Sequence, residues 1–191
     1  NKKNIIHVGY PYLESCKNNY QAEKKENIIL FLSQGTIGED LSKLAVETNS
    51  LLNDYRVIYK LHSGEYREWK NNYPWLRDSS IEVIDSDDPP LYNLFSKSKI
   101  QVGVYSTALY EGLVFGLRTF IFQKKNWQTL TDLTEFILAI KITKASELVN
   151  LLGSEEVNLD NHLIINSMFK PHSYANLKQG LYQVRKRIVN E

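Results

Sequence analysis

Residues 100–112 read IQVGVYSTALYEG, and this stretch decides the fold because it joins a buried strand to the start of a helix. The apolar run Ile100–Val104 is short and continuous, which is typical of a strand covered on both faces of a parallel sheet. Two hydroxyl residues, Ser106 and Thr107, then precede a helical pattern that continues to Leu117. We therefore predict a strand, a polar loop and a helix in that order.

Similar units recur along most of the chain. Further short apolar runs predict strands at 27–33, 55–61, 81–84, 118–122 and 136–142. Helical patterns follow several of these strands, at 38–52 and at 146–152. Another helical pattern begins at Leu91, directly after two prolines. Strands that alternate with helices favour a parallel sheet covered on both faces and built from right-handed crossovers. The predicted fold class is therefore α/β, a doubly wound parallel sheet.

The two ends of the chain differ from this pattern. We predict a connecting segment at 1–26, the sheet domain at 27–153 and a mainly helical segment at 154–191, interrupted near Pro171. The apolar and aromatic stretch Ile5–Leu13 fits either an interdomain connection or an added strand. Because the chain begins at Asn1 without a methionine, we expect a fragment that lacks an N-terminal partner domain.

Composition excludes several classes of function. With 23 basic and 22 acidic residues among 191, bulk charge does not favour a nucleic-acid or membrane partner. Cys16 is the single cysteine, so an intrachain disulfide is impossible. The four histidines are dispersed and give no zinc pattern, and no apolar run is long enough for a transmembrane segment.

Ligands of open parallel sheets bind beyond the carboxyl ends of the strands, near the switch in strand order. That rule selects the loops 33–38, 61–65, 85–90 and 105–111, which carry small, polar or ionisable residues. The second and fourth loops contain the most informative side chains.

Ser106 and Thr107 open a predicted helix, where free N–H groups and partial positive charge suit a phosphate. The alternative is that one of them is an ordinary N-cap, and the two roles are compatible. Glu111 lies one helical turn further on, where its carboxylate can accept the hydroxyls of a ribose. Its alternative is a capping or surface carboxylate.

His62 follows the second predicted strand and can donate to a phosphate oxygen; alternatively it is a loop histidine bonded to nearby backbone. Glu65 either orients the imidazole or faces water. Gly35, Thr36 and Gly38 form a short glycine loop that lets backbone approach a phosphate, or an ordinary turn. Its sequence matches neither a dinucleotide fingerprint nor a P-loop, which disfavours a nicotinamide cofactor.

Three aspartates, Asp85, Asp87 and Asp88, either bind a cation or form a solvated turn before two prolines, and the second is favoured. Four aromatic residues either stack on a base or pack in the core: Tyr66, Trp69, Tyr73 and Trp75. The basic run 185–187 is typical of a solvated helix face, and Cys16 has no cysteine–histidine constellation around it. We predict no metal site.

These residues together resemble a known family. The segments KLH at 60–62, IEVID at 81–85, LY at 91–92 and VGVYSTALYEG at 102–112 look like the C-terminal domain of GT-B-type glycosyltransferases. The likeness covers about residues 27–125 and is greatest to enzymes of bacterial surface and capsular polysaccharide assembly. Sialyltransferases, teichoic-acid polymerases and UDP-N-acetylglucosamine 2-epimerases share the general layout.

The resemblance implies a Rossmann-like half of a GT-B fold that holds a nucleotide-sugar donor. His62, Ser106, Thr107 and the Gly35–Thr36 loop would then contact the donor phosphates. Glu111, with Asp85 and Tyr105, would contact the ribose or base.

One departure from the family pattern is that Ser63 follows the histidine where proline is usual. The C-terminal helices would brace the partner domain, which would also hold the glycan acceptor and the catalytic base. The nucleotide-sugar is a substrate, so no cofactor is implied. We expect a cytoplasmic enzyme, with the inner face of the membrane as a peripheral location.

Two alternatives remain open. A sugar-nucleotide epimerase has a similar build but needs acid and base carboxylates in both domains. A non-catalytic Rossmann-like interaction domain would not bring His62, Ser106 and Glu111 to one cleft. A flavodoxin-like or response-regulator domain is disfavoured because no flavin loop or acidic cluster follows the first strand.

Overall fold

The computed structural model describes residues 5–22, 24–153 and 162–189. The chain forms two compact units. One is Tyr20–Asn158, and the other combines Asn1–Asn19 with Leu159–Glu191. The boundaries predicted at residues 26 and 153 stay a prediction.

The unit Tyr20–Asn158 contains one sheet whose strands are all parallel. Its strands are β1 (Glu26–Leu32), β2 (Arg56–Lys60), β3 (Glu82–Ile84), β4 (Ser98–Gly103), β5 (Arg118–Phe122) and β6 (Ala139–Ile142). The order across the sheet is β3-β2-β1-β4-β5-β6. The chain therefore builds outward from β1 in one direction and then from β4 in the other, which confirms the doubly wound α/β prediction.

The described residues of the two units also form helices. In chain order they are α1 (Pro11–Asn19), α2 (Gly38–Leu51), α3 (Trp69–Asn72), α4 (Pro74–Arg77), α5 (Leu91–Lys97), α6 (Ala108–Val114), α7 (Thr131–Glu135), α8 (Ala145–Gly153), α9 (His162–Met168) and α10 (Ser173–Val189). Short 3-10 turns span Ser63–Glu65 and Trp127–Leu130. None of the helices among the described residues is long and apolar enough to cross a membrane.

The core lies on both faces of the sheet. On one face, Phe31 and Tyr59 pack in a cluster that includes Leu41 from α2 and Leu148 from α8. Leu30 points to the opposite face and is equally buried, and α5 packs near this part of the sheet. A fully buried side chain of this size stabilises the fold by about 1.5–3 kcal/mol. Burial on both faces explains why β1 is a continuous apolar run without alternation.

Two element boundaries differ from the sequence prediction by three residues each. Helix α6 ends at Val114, not at Leu117, because Gly116 adopts a left-handed conformation with φ of 72°. The N–H of Leu117 then donates to the carbonyl of Gly112 at 3.1 Å, which closes the helix end. Strand β6 begins at residue 139 and not at 136, because the short helix α7 precedes it.

In the second unit, the added-strand alternative for the first residues is wrong. The described part of Ile5–Leu13 contains no strand, and α1 begins at Pro11. Glu14 of α1 accepts hydrogen bonds from the backbone N–H groups of His172 and Ser173, and from the Ser173 hydroxyl. This carboxylate therefore caps the N-terminus of α10, and these bonds lower its pKa. The helical break predicted near Pro171 is confirmed, whereas the first residues of the helical segment predicted at 154–191 lie outside the described residues.

Candidate functional site

The switch in strand order lies between β1 and β4, which are neighbours in the sheet. After β1 the chain leads towards β2 on one side, and after β4 it leads towards β5 on the other. In sheets of this kind, a crevice for the ligand is expected at the carboxyl edge, between the loops that follow these two strands. Gly35 and Thr36 lie in the first loop, and Tyr105 lies in the second.

A side-chain contact joins these two loops. The hydroxyl groups of Thr36 and Tyr105 form a hydrogen bond with each other. Thr36 is exposed and Tyr105 is half-buried, so both border the crevice and solvent. The structure thus brings together two residues that the sequence assigned to one site from loops 69 positions apart.

Ser106 and Thr107 differ in their local bonding. The Oγ of Ser106 accepts a hydrogen bond from the backbone N–H of Ala108 at 3.3 Å, so this hydroxyl has a capping role at the start of α6. Thr107 is exposed and makes no side-chain capping bond. The paired hydroxyls of the sequence are therefore one capping group and one group that faces solvent.

His62 lies directly after β2, at the start of the turn Ser63–Glu65, and is exposed. Its Nδ1 accepts a hydrogen bond from the backbone N–H of Gly64 at 3.2 Å. This bond assigns the proton of the neutral imidazole to Nε2, which is then the donor available to a ligand. The two roles predicted for His62 are thus compatible, because Nδ1 bonds the backbone and Nε2 can donate to a phosphate.

Glu65 is buried, with 7% of its surface exposed, and is held by three donors. Its Oε1 accepts from the hydroxyls of Ser33 at 3.0 Å and Tyr73 at 2.7 Å, and its Oε2 accepts from the backbone N–H of His62 at 2.9 Å. Glu65 therefore does not face water, and it contacts the backbone of His62 rather than the imidazole. Of the two roles predicted from the sequence, the one in which Glu65 faces water was wrong.

Tyr59 extends this buried hydrogen-bond network under the loop after β1. Its hydroxyl lies 2.9 Å from Oγ of Ser33 and 3.1 Å from the carbonyl oxygen of Gly38. Burial is the main cause that raises the pKa of Tyr59 and also that of Tyr73. Both phenols therefore stay protonated near neutral pH and serve as hydrogen-bond donors.

The two glycines of this loop differ in their surroundings. A Cβ on Gly38 would lie 2.5 Å from Oε1 of Glu65 and would also collide with the Tyr73 ring. A Cβ on Gly35 would meet Glu65 Cγ at an ordinary 3.8 Å. Gly38 is thus required by the buried network, whereas Gly35 lies exposed on the crevice side of it.

Glu111 lies in the first turn of α6, as the spacing from Thr107 predicted. It is half-buried, and its Oε2 accepts a hydrogen bond of 2.9 Å from the hydroxyl of Tyr92 at the start of α5. Burial raises the pKa of this carboxyl group, and the bond from Tyr92 lowers it in part. The carboxylate is therefore held in one orientation at the carboxyl edge of the sheet.

Asp85 lies in the loop after β3, and its Oδ2 accepts from the indole N–H of Trp69 at 2.9 Å. Close by, the Lys60 ammonium donates to the Tyr66 hydroxyl at 2.5 Å and to the Ser86 carbonyl at 2.8 Å. Burial lowers the pKa of Lys60, against the attraction of nearby aspartates. Among the described residues, no group of three acidic, histidine or cysteine side chains could hold a metal ion.

Sequence reasoning did not predict the surroundings of three residues that shape this edge. Tyr92 orients Glu111, and Trp69 anchors Asp85. The side-chain oxygen of Gln34 is enclosed at the switch point and has no hydrogen-bond partner among the described residues. The pattern LY at 91–92 was a usable signal for Tyr92. The contact of Trp69 and the burial of the Gln34 oxygen depend on segments that are distant in sequence.

Comparisons with known proteins were made by sequence and by structure. No protein-family model matches the chain, and no curated protein matches it by sequence. By structure, the wall teichoic acid polymerase TagF is similar at 14% identity with a TM-score of 0.54, over 94% of this chain and 48% of that chain. The glycosyltransferase SnogD from Streptomyces nogalater is similar at 14% identity and a TM-score of 0.56, over 83% and 44%.

A third similar structure is the C-terminal CMP-Kdo binding domain of WaaA from Acinetobacter baumannii. It has 13% identity and a TM-score of 0.51, and the match covers 90% of this chain and 99% of that domain. The chain therefore spans about half the length of TagF and nearly the whole of the WaaA domain.

The sheet order and helical layers define a Rossmann-like α/β protein. More narrowly, the fold is that of one half of a GT-B glycosyltransferase, which confirms the predicted architecture. At identities this low, the likeness concerns the fold alone.

Proposed function

We propose that the unit Tyr20–Asn158 binds the nucleotide-sugar donor in a glycosyltransferase whose second domain holds the acceptor. One observation carries the proposal. At the switch point of the sheet, the loop after β1 contacts Glu65 on one side and Tyr105 on the other. Glu65 in turn caps the His62 turn. Loops from β1, β2 and β4 thus border one crevice that offers hydrogen-bond donors.

Donors at this crevice suit the phosphates of the leaving nucleotide. The Nε2–H of His62, the hydroxyl of Thr107 and the backbone of Gly35–Thr36 supply N–H and O–H groups, with Ser106 beside them. A hydrogen bond to a charged group is worth about 1.5–3 kcal/mol. Negative charge grows on the nucleoside phosphate as the glycosidic bond to it breaks, so preorganised donors lower the barrier. The proposed reaction is therefore metal-independent and needs no nucleophile from this unit.

The nucleoside would lie towards α5 and α6. Glu111 is oriented by Tyr92, which leaves its second oxygen to accept ribose hydroxyl groups. Asp85 and Tyr105 border the same edge and are proposed as further contacts to the ribose or base. The catalytic base and the glycan acceptor would belong to the partner domain.

The similar structures support a role in building bacterial surface polysaccharide. One is named a wall teichoic acid polymerase, and another is named a CMP-Kdo binding domain. We therefore propose a cytoplasmic enzyme that transfers a sugar to a surface or capsular glycan.

A nucleotide panel tests the proposal. Thermal denaturation of the 191-residue chain is measured with CMP, CDP, UDP, GDP and their sugars. One nucleotide is expected to raise the melting temperature, since ligand at about 100 times Kd adds about 2.7 kcal/mol of stability. The shift should be lost in His62→Ala and Glu111→Ala.

Two exposed residues provide matched controls, His7 in the second unit and Glu47 on α2. Their alanine variants should keep the shift. If no nucleotide stabilises the chain, or if the control variants lose the shift equally, the donor-binding proposal is wrong and an interaction domain is favoured. Conversion of one sugar-nucleotide into its epimer by the whole enzyme, without acceptor, would identify the epimerase alternative.

A further inference from the structure

The buried carboxylate of Glu65 is held by donors from three separate segments of the chain. Ser33 follows β1, Tyr73 precedes α4, and the backbone N–H comes from His62 after β2. No ion pair found among the described residues involves Glu65. A buried carboxylate without a cation needs several hydrogen bonds to be tolerated, and here three donors supply them.

We propose that Glu65 is a positioning residue that fixes the His62 turn against the loop Ser33–Gly38, so that both loops are presented to a ligand as one rigid unit. The effect of Glu65 on ligand binding rests on the proposed function, whereas its effect on the rigidity of the two loops does not. Glu65 itself lies beneath the crevice surface and acts through His62 and the loop after β1.

The geometry explains why a carboxylate is required. Oε1 accepts two hydrogen bonds and Oε2 accepts one, so both oxygens must be acceptors. A glutamine has one acceptor oxygen, and its NH2 group would face donors on the other side. Glu65→Gln therefore leaves either the His62 N–H or the Ser33 and Tyr73 hydroxyls without an acceptor. A buried donor without a partner favours opening of the segment to water.

The influence of Glu65 extends to the far side of the crevice. Thr36 lies between Ser33 and Gly38 in the chain, and its hydroxyl bonds with that of Tyr105, which follows β4. The backbone N–H of Ile37 also donates to the carbonyl of Gln34 at 2.9 Å, which makes the loop a closed turn. Release of Ser33 would therefore loosen a turn that borders both the His62 turn and Tyr105.

Amide hydrogen exchange tests the positioning role without any ligand. In Glu65→Gln, exchange across 62–66 and 33–38 should rise at least tenfold, while the central strands β1 and β4 keep their protection. The matched control is Glu68→Gln, an exposed glutamate in the same segment whose side chain accepts a hydrogen bond from the Asn71 amide at 3.4 Å. Control exchange should stay at the wild-type rate.

A second readout is the affinity for the nucleotide that stabilises the wild-type chain. Glu65→Gln should weaken it about tenfold and Glu68→Gln should leave it unchanged. Tyr73→Phe removes one donor, keeps the carboxylate, and should give a smaller change in both readouts. If Glu65→Gln does not fold, Tyr73→Phe still allows the positioning role to be tested by both readouts.

The outcomes separate the two proposals. If no nucleotide binds the wild type, the proposed function fails, while exchange in 62–66 and 33–38 still decides the role of Glu65. Unchanged exchange in those segments, or an equal rise throughout β1 and β4, overturns the positioning role. Local loosening with unchanged nucleotide affinity overturns its link to ligand binding.

Discussion

The hydroxyl of Tyr92 donates a 2.9 Å hydrogen bond to Oε2 of Glu111, and this bond links the start of α5 to the first turn of α6. The two residues stand 19 positions apart and follow different strands. Tyr92 also stacks on Phe115 and meets the edge of Phe95, so its ring is fixed by packing before its hydroxyl bonds the carboxylate. A carboxylate held by a fixed partner is preorganised for a ligand.

The pKa of Glu111 predicts a pH dependence of stability. Burial raises this pKa in the folded state above its ordinary value, so protonation favours folding. The contribution is fully present below the unfolded pKa and is lost as the pH rises through the folded pKa. Glu111→Gln should remove this loss, so its melting temperature should rise relative to that of the wild type as the pH increases above the ordinary pKa of a glutamate, about 4.3.

Thermal denaturation over that pH range measures the effect, and Glu47→Gln on the exposed face of α2 is the control. A constant difference between wild type and Glu111→Gln at every pH would contradict the shifted pKa. Tyr92→Phe should steepen the pH dependence, since it removes the bond that lowers the pKa of Glu111.

The contact between Thr36 and Tyr105 predicts a coupling. Thr36→Val and Tyr105→Phe each remove one hydroxyl from the same hydrogen bond. Each should lower the free energy of unfolding by about 0.5–1.5 kcal/mol, and the double variant should lose about as much as one single variant. Chemical denaturation of the four proteins gives the coupling energy. Thr36→Val combined with Tyr110→Phe, whose hydroxyl bonds Asp132 instead, should be additive.

Gly38→Ala should be strongly destabilising. The added methyl would lie 2.5 Å from Oε1 of Glu65, inside the buried network, and so would displace the carboxylate or α2. Overpacking of this kind typically costs about 1–3 kcal/mol. Gly153→Ala is the matched control, because no atom of the described residues lies within 4 Å of its added methyl. Equal melting temperatures for the two variants would show that the site near Glu65 can relax.

Gly112 of α6 lies close to the side chain of Gln101 in the sheet, which leaves little room for a larger residue. Gln101 in β4 donates from its amide to the Leu109 carbonyl at 2.7 Å and to Thr119 Oγ1 at 2.8 Å. A Cβ on Gly112 would lie 2.5 Å from Cδ of Gln101. Gly112→Ala should therefore move α6 and lower stability by about 1–3 kcal/mol.

The double variant Gly112→Ala with Gln101→Ala tests that explanation, since the smaller side chain makes room for the methyl. It should lose less stability than the sum of the two single variants. A strictly additive loss in equilibrium denaturation would contradict a direct collision.

Local pattern was sufficient for most strands. The run at 118–122 predicts β5 to the residue, and the runs at 27–33 and 55–61 predict β1 and β2 within one residue at each end. These strands are buried on both faces, so their composition carries the signal directly. The helix α7 and the late start of β6 escaped detection, because TDLTE is polar and too short for a periodicity to emerge.

By itself, the sequence determined the α/β alternation, the loops that follow each strand and the residues that could meet there. Strand periodicity and turn chemistry are local, and so they can be seen in a linear chain. Tertiary structure alone decided that Glu65 accepts a hydrogen bond from Ser33 and that Thr36 meets Tyr105. Those contacts depend on the order β2-β1-β4 in the sheet, which brings together residues that are 32 to 69 positions apart in the chain.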